Sequence, residues 1–435
     1  MDDQQRNIAV IGLDDFNLDM LRTVRDAERY NFSGLIDYDQ IVNPDKYPVE
    51  NFIHDAQNAM DDVPGGLHAI VGHWDFPTTS LLPILRDRAG HETPSLKAAL
   101  LCENKYGTRL ATSEVAPELT PPFALVDPED DALLDDPPLP YPFWLKPVVA
   151  FSSTMGFRID GREDLRNALR EIRQGIGKFA EPFEAFTQRA QLGDQRALMR
   201  GRYCIAEGII SGRGCTVEGY VQNGEAHVYG VIDSLRAPGG SSFVGYVYPS
   251  NLPEDVLKHM REKSCELATH IGLDNTPFNI EFLWDEERDD LKLLEVNARI
   301  SKSHSPLFYL VEGASHHEVA IDVAMGTTPN FPNGGGPYNY AAKFMPRSYQ
   351  SARVTRVPGE ADLERLRERF PHAMFKSHVS EGMQLEDLPN QDSYSFELGD
   401  LFLGADRYED LTEHFREAMH ILGFRFSRKV ETNYD

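Results

Sequence analysis

Carboxylate, amide and guanidinium groups recur at the spacing of a β-hairpin near residue 290. Glu281 lies in one apolar segment, and the next segment carries Glu295, Asn297 and Arg299, each two residues from the last. Because side chains alternate between the faces of a strand, these three leave the same face, and Glu281 can lie opposite them. Two carboxylates and an amide oxygen form a hard site suited to Mg²⁺ or Mn²⁺. Arg299 could hold a phosphate or carboxylate through two hydrogen bonds.

A salt-bridged, solvent-facing hairpin is the plainer interpretation. It would explain a glutamate beside an arginine. It would not explain why this polar face occurs in the most apolar hairpin of the chain.

Two other stretches could contact a nucleotide. Lys146 ends an apolar strand and leads into a loop with Ser152 and Ser153, so its ammonium and the loop N–H groups could surround phosphate oxygens. An isolated strand lysine can equally be a solvated end. The stretch 205–212 reads as a strand ending in a turn, which could offer Glu207 and backbone groups to a purine.

The elements that must position these residues alternate along the chain. Strands at 7–12 and 67–72, with helices at 15–30 and 78–88, predict a parallel sheet covered by helices. The first turn lacks the G-x-G-x-x-G pattern, so this part is a scaffold or substrate wall rather than a dinucleotide site. Further along, the sequence predicts strands at 143–148, 155–159, 203–210, 215–222, 226–233, 278–284 and 291–296, helices at 162–174, 254–271 and 316–325, and a linker at 333–337.

Composition narrows the classes of function. The 435 residues carry 69 acidic and 43 basic side chains, a formal charge of −26, and 41% are hydrophobic. This is a folded chain that bulk electrostatics would repel from nucleic acid or an anionic membrane. With no basic leader, no apolar run of about 18 residues and no C-x-x-C pair, we expect a cytoplasmic protein with reduced thiols.

In combination, these residues resemble the ATP-grasp superfamily of carboxylate–amine ligases. The order matches: a helix-opening Lys105, the strand Lys146, a small-residue loop, a hinge led by Glu207, then the metal carboxylates with asparagine and arginine. The resemblance covers roughly residues 96–330. Within the superfamily, the stretch 73–77 (HWDFP) and the C-terminal part look most like the L-amino-acid ligases that form dipeptides.

The resemblance implies a mixed α/β, multidomain fold. A parallel-sheet pre-ATP-grasp domain would occupy 1–95, and the ATP-grasp domain 96–336. The latter would contain a lid at about 141–205, polar and able to open at low cost, and a metal-binding sheet at about 206–330. A small α+β cap would follow at 337–435.

Roles follow residue by residue from the resemblance. Lys105 and Lys146 would contact ATP phosphates, with Ser152 and Ser153 covering them. The adenine would meet Glu207, Gly208 and the backbone of Ile209. The metal ligands, for two Mg²⁺ ions, would be Glu281, Glu295 and Asn297, and Arg299 would stabilise the acyl phosphate.

The sequence departs from the family pattern at three places. The loop after Lys146 is not glycine-rich. Gly214 stands where the family usually has a ribose-binding glutamate, and Glu218 is its candidate substitute. The glycines expected after Arg299 are replaced by Ser301-Lys302-Ser303, followed by His304. The candidate substrate contacts are Arg236, Lys302 and His304, whereas His316 and His317 are predicted to be surface or packing residues.

The sequence therefore predicts an enzyme that activates a carboxylate as an acyl phosphate and joins it to an amine, most simply an amino acid. Two alternatives stay open: an ATP-grasp carboxylase or other acceptor chemistry, and a nucleotide-binding regulatory protein without catalysis. Both substrates would be small molecules, and the oligomeric state is left open, with a homodimer among the options.

Overall fold

The computed structural model describes residues 5–42, 44–150, 155–193, 199–237, 243–388 and 395–434. Among these residues, no helix is both long enough and apolar enough to cross a bilayer. The fold is mixed α/β, as the sequence predicts, and its first unit is a parallel sheet of order β2-β1-β3. Its elements are β1 (Arg6–Leu13), α1 (Asp15–Leu21), β2 (Tyr30–Asp37), α2 (Tyr38–Ile41), α3 (Val49–Asp61), β3 (Ala69–Gly72) and α4 (Thr78–Arg88).

The predicted helix at 15–30 is wrong in its second half. Helix α1 ends at Leu21, and Asp26 adopts a left-handed φ of 54°, which an α-helix cannot continue. Tyr30 then begins β2, a strand that the sequence analysis missed. Only Leu35 and Ile36 of this edge strand are buried, so it shows neither an apolar run nor a clean alternation.

A second, antiparallel sheet has the order β4-β7-β5-β6, and its strands β5 and β6 lie in the segment predicted to be a lid. It follows a helical pair that connects it to the first unit. The elements are α5 (Leu96–Glu103), α6 (Lys105–Val115), β4 (Phe123–Val126), β5 (Phe143–Pro147), β6 (Phe157–Ile159), α7 (Arg162–Gly175), α8 (Gly177–Arg189) and β7 (Cys204–Gly208).

The expectation of a polar lid that buries little apolar surface is wrong for helix α8. Phe179, Phe183 and Phe186 are fully buried and belong to one core with residues of the first unit. The ring of Phe76 lies 6.3 Å from that of Phe183 and 5.7 Å from that of Phe186. The charged residues around these phenylalanines are on the outer face, which made the segment read as polar. The part of the predicted lid segment that forms α8 is therefore anchored to the N-terminal unit by aromatic packing.

An eight-stranded antiparallel sheet carries the predicted metal ligands, and its strand order is β12-β11-β8-β9-β10-β13-β18-β16. In chain order, the first of its strands and the helices between and after them are β8 (Arg213–Gln222), β9 (Glu225–Arg236), β10 (Phe243–Tyr248), α9 (Glu254–Ile271), β11 (Thr276–Asp285), β12 (Asp290–Asn297), α10 (Ser305–Glu312) and α11 (His317–Ala324). The sequence analysis missed β10, which is short and half-buried.

The C-terminal hundred residues extend this sheet rather than starting a separate one, because β13 pairs with β10. The predicted boundary at residue 336 thus falls between two neighbouring strands of one sheet. The elements are β13 (Tyr340–Phe344), β14 (Arg347–Ser348), β15 (Val354–Arg356), α12 (Glu360–Arg369), β16 (Met374–Ser377), β17 (Phe396–Glu397), β18 (Gly399–Ala405), α13 (Asp410–Leu422) and β19 (Arg425–Phe426). Strands β14 with β17, and β15 with β19, form two small ribbons.

Candidate active site

The hairpin β11–β12 places two carboxylates directly opposite each other. Glu281 pairs with Glu295, and Asn279 pairs with Asn297. The amide Nδ2 of Asn297 donates to Oδ1 of Asn279 at 3.0 Å, so the Oδ1 of Asn297 stays available as an acceptor. The predicted arrangement of two carboxylates and an amide oxygen on one sheet face is therefore the arrangement found.

The two carboxylates have opposite pKa shifts. Burial, and then the charge of Glu295, raise the pKa of Glu281 to about 7. Burial also acts to raise the pKa of Glu295, but Lys105 and Lys146 outweigh it and the net shift is downward. A divalent cation would relieve the repulsion between these carboxylates. The donor set thus fits the magnesium site that the sequence predicts.

Lys105 sits at the first turn of α6, where the side chain of Asn104 caps the helix by accepting from the N–H of Gly107 at 2.9 Å. Its ammonium lies 3.0 Å from Oε1 of Glu295 and donates to the carbonyl of Ala150 at 2.5 Å. A cation is therefore held between the carboxylate pair and the loop that follows β5.

Lys146 is on β5, which pairs with β7, the strand that carries Glu207. The ammonium of Lys146 is 2.7 Å from Oε2 of Glu207. Arg109, one helical turn after Lys105, donates to Oε1 of the same carboxylate at 2.5 Å. Burial opposes ionisation of Glu207, but these two cations lower its pKa to about 2. The Glu207 carboxylate is thus committed to two cations rather than free to meet an adenine.

The hinge residues after Glu207 differ in exposure. The N–H of Gly208 donates to the carbonyl of Pro122 at 2.8 Å. Ile209 is 40% exposed, and within the described ranges it is the only large apolar residue that is exposed. An uncovered apolar side chain at a hinge is a suitable surface for a planar base.

Arg299 leaves the end of β12 and reaches the N-terminal unit. Its Nε donates to Oδ1 of Asp75 at 2.6 Å, and Nη2 contacts the same oxygen. Burial acts to lower the pKa of Arg299, but Asp75 raises it, so the guanidinium stays charged. The side chains of Asp75 and Glu295 keep 34% and 32% of their surface exposed, which leaves this part of the site open to solvent.

Glu218 occupies a different environment from the one predicted for a ribose ligand. Its side chain is fully buried, with Oε1 2.7 Å from Nδ1 of His304 and accepting from the N–H of Ser301 at 3.2 Å. Burial raises the pKa of Glu218 well above its usual value. Glu218 and His304 therefore fix the loop that follows Arg299. His316 is buried beside them, its Nδ1 3.8 Å from Glu218.

The other residues named from the sequence make aromatic contacts or lie outside the described residues. Lys302 places its ammonium 4.3 Å from the ring centroid of Trp74, and Arg236 lies 4.3 Å from that of Phe243. His317 is buried and packs against His73, with ring centroids 5.2 Å apart. The predicted phosphate contacts of the loop after Lys146, Ser152 and Ser153, lie outside the described residues.

Sequence reasoning missed Asp75 and Arg109, the partners of Arg299 and Glu207. Arg109 follows Lys105 by four residues, so the two share one helix face, which is a signal that the spacing contains. Asp75 follows the parallel strand β3 at its carboxyl end, where α/β sheets place functional groups. Neither signal predicts that Asp75 pairs with Arg299 or that Arg109 pairs with Glu207, because the two members of each pair lie far apart in sequence.

Comparison with known proteins gives one match to a family. Residues 139–306 match the ATP-grasp domain family. The similarity to ATP-grasp domains thus spans the segment from just before β5 to the start of α10. No curated protein matches the chain.

Solved structures with the ATP-grasp fold cover nearly the whole chain. It is similar to an L-amino acid ligase from Bacillus licheniformis, with a TM-score of 0.70 and 16% identity over 98% of this chain and 100% of that one. The biotin carboxylase domain of a Hydrogenobacter thermophilus 2-oxoglutarate carboxylase has a TM-score of 0.65, 16% identity, and coverage of 99% and 92%. N5-carboxyaminoimidazole ribonucleotide synthetase from Thermotoga maritima has a TM-score of 0.62, 15% identity, and coverage of 97% and 100%. These likenesses confirm the predicted ATP-grasp fold.

The ATP-grasp match contains one lysine of the site but not the other. Lys146, Glu207 and the hairpin carboxylates fall within residues 139–306, whereas Lys105 and Asp75 precede it. The groups around the ATP-grasp hairpin therefore come from three parts of the chain: the N-terminal unit, helix α6 and the matched segment.

Proposed function

We propose that this protein is an ATP-dependent carboxylate–amine ligase. It activates a carboxylate as an acyl phosphate, transfers the acyl group to an amine, and releases ADP and phosphate. The observation that carries the proposal is the pair Glu281 and Glu295, which face each other with the ammonium of Lys105 3.0 Å from Glu295. A half-buried carboxylate pair with a lysine beside it suits a metal–nucleotide complex.

The choice of an amine as the acceptor is supported by similarity to a solved structure, because the fold alone does not determine the acceptor. The likeness to the L-amino acid ligase covers 98% of this chain at a TM-score of 0.70, against 99% at 0.65 for the biotin carboxylase domain. The acceptor that we propose is an amino acid, as in a dipeptide-forming ligase.

Two Mg²⁺ ions, held by Glu281, Glu295 and Asn297, would supply charge neutralisation for the transferring phosphoryl group. Lys105 and Lys146 bind phosphate oxygens, exchanging part of their present carboxylate contacts for them. Arg299, oriented by Asp75, stabilises the negative charge that develops on the carbonyl oxygen. The lid excludes water, because an acyl phosphate exposed to it would hydrolyse.

The decisive experiment screens carboxylic acids and amines in pairs. The readout is ADP release that depends on both partners, with the product identified by mass spectrometry. Amide formation supports the proposal. Bicarbonate replacing the carboxylic acid would identify a carboxylase instead. Nucleotide binding without turnover across the screen would favour the regulatory protein.

A matched variant pair controls for contaminating ATPases. Glu295→Gln removes one carboxylate of the pair, whereas Glu286→Gln changes an exposed glutamate in the turn of the same hairpin. Genuine activity disappears in the first variant and persists in the second.

A further inference from the structure

One ammonium near the candidate active site has no carboxylate partner. Four lysines there are paired: Lys105 with Glu295 at 3.0 Å, Lys146 with Glu207 at 2.7 Å, Lys343 with Asp400 at 2.7 Å and Lys376 with Asp14 at 3.6 Å. Lys302 makes no ion pair or hydrogen bond through its ammonium with any residue that the structure describes. It lies 4.3 Å from the ring centroid of Trp74 instead.

The surroundings of Lys302 do not favour a charged ammonium that serves only to stabilise the fold. The residue is half-buried, and burial, with the nearby charge of Lys343, lowers the pKa of Lys302 to about 8. Asp400 and Asp14 act on Lys302 only from a distance, since each is paired with another lysine. A half-buried cation that makes no ion pair of its own costs free energy, so packing against Trp74 alone would favour an apolar side chain. An arriving anion would remove that cost.

The position of Lys302 connects it to the reacting groups. It follows Arg299 by three residues, a distance of at most about 10 Å along the backbone. The neighbouring Ser303 accepts from Nζ of Lys343 at 3.4 Å, so the loop is tied to the β13 side of the sheet. The ring centroid of Tyr246 lies 5.9 Å from Nζ of Lys343 and 5.0 Å from the ring centroid of His304. Burial, and then the charges of Glu281, Glu397 and Asp400, raise the pKa of Tyr246. The carboxylate pair and the lysines therefore share one electrostatic environment.

The charge count selects the kind of anion. Lys343 and Lys376 are balanced by Asp400 and Asp14, which leaves the single charge of Lys302. One uncompensated cation matches a monoanion such as a carboxylate. A phosphate monoester, at about −1.5 to −2, would exceed it.

We propose that Lys302 binds the α-carboxylate of an amino-acid acceptor. This inference rests on the proposed function and names the acceptor's recognition group. The donor carboxylate loses its charge when it is activated, whereas an acceptor amino acid keeps its own carboxylate through the reaction. The ammonium of Lys302 pairs with that carboxylate and leaves the α-amine directed towards the carbonyl held by Arg299.

Binding, rather than turnover, tests this assignment. Calorimetry with Mg²⁺ and ADP present compares each proteinogenic amino acid with its α-amide, which keeps the amine and side chain and lacks the negative charge. For at least one amino acid, we expect the free acid to bind wild-type protein at least tenfold more tightly than the amide. Amides that bind as well as acids, or no binding by any free acid, would overturn the proposal.

Variants then separate recognition from packing. Lys302→Met keeps the apolar stem over Trp74 and should weaken the acid to the level of its amide, whereas Lys302→Arg should retain most of the difference. Lys258→Met, at an exposed position on α9, should change the affinity for neither the acid nor the amide. Equal weakening of acid and amide in Lys302→Met would mark a purely structural residue and contradict the proposal.

Two further outcomes distinguish this inference from the proposed function. Amino acids that bind through Lys302 without any amide product would refute ligation and leave the recognition site intact. Binding of inorganic phosphate that Lys302→Met abolishes, with no binding of amino acids, would assign the ammonium to a phosphate and overturn the carboxylate assignment.

Discussion

The guanidinium of Arg299 and the carboxylate of Asp75 are joined across 224 residues of sequence, with Nε 2.6 Å from Oδ1. This pair links the end of the β11–β12 hairpin to the N-terminal unit. It fixes the direction of the one arginine that the proposed mechanism places at the reacting carbonyl.

Asp75→Asn should therefore lower kcat rather than ATP affinity. A charge-assisted hydrogen bond is worth about 1.5–3 kcal/mol, so we expect kcat to fall at least about tenfold. Steady-state ADP release with the best substrate pair measures it. Asp61→Asn, at a position 70% exposed, is the control. A selective rise in the KM for ATP would contradict the positioning role.

Glu295→Gln should abolish ligation and keep the fold. The change is nearly isosteric, removes one charge from the carboxylate pair, and leaves Lys105 without its ion-pair partner. Circular dichroism should match the wild type while ADP release falls to background. Full activity at ordinary Mg²⁺ concentrations would remove the metal-site hypothesis.

Lys146→Met should weaken ATP binding by the value of a charged contact, about 1.5–3 kcal/mol. Methionine retains the apolar stem, so strand β5 should still form. Isothermal calorimetry with ATP and Mg²⁺ gives the affinity directly, and Lys97→Met on the exposed face of α5 serves as the control. Unchanged affinity would leave Lys146 as a structural partner of Glu207 alone.

The pKa of Glu207, lowered to about 2, makes a specific prediction for acid stability. A carboxyl with a depressed folded-state pKa stabilises the protein above its unfolded pKa of about 4.3, and that stabilisation is lost as the pH falls towards 2. Glu207→Gln should thus lower Tm at pH 7, and the difference from wild type should shrink below about pH 4.3. A constant difference from pH 7 to pH 3 would show that the charge of Glu207 contributes nothing.

The aromatic anchor of the lid predicts a shared response of two units. Phe183→Ala removes a fully buried ring at a cost of about 3–5 kcal/mol, and Phe183→Leu should cost much less. Hydrogen exchange should accelerate in α8 and in α3 and α4 of the N-terminal unit together. Acceleration confined to α8 would mean that the lid is not anchored to that unit.

The ATP-grasp hairpin was predictable because its chemistry is local. Glu281 and Glu295 lie in consecutive strands, so a period of two and a short turn are enough to bring them opposite each other. Lys105 was named only through the family resemblance, and the structure shows that the side chain of Asn104 caps the helix that Lys105 opens. Long, regular elements such as α9 and α4 were predicted with their observed ends, because their apolar periodicity is also a local property of the sequence.

Tertiary partners were not predictable in this way. Nothing near Arg299 in the sequence announces Asp75, and nothing near Glu207 announces that two cations occupy its carboxylate. The edge strand β2 and the aromatic face of α8 were missed because few residues of β2 are buried and charges surround the phenylalanines of α8. Both depend on what packs against them.

Because β13 is hydrogen-bonded to β10, the C-terminal hundred residues cannot be removed as a detachable module. A chain shortened at residue 336 would turn β10 into an edge whose N–H and C=O groups, from Gly245 to Tyr248, are left without their strand. Such an edge is a template for pairing with another molecule. Shortened forms should therefore collect in inclusion bodies.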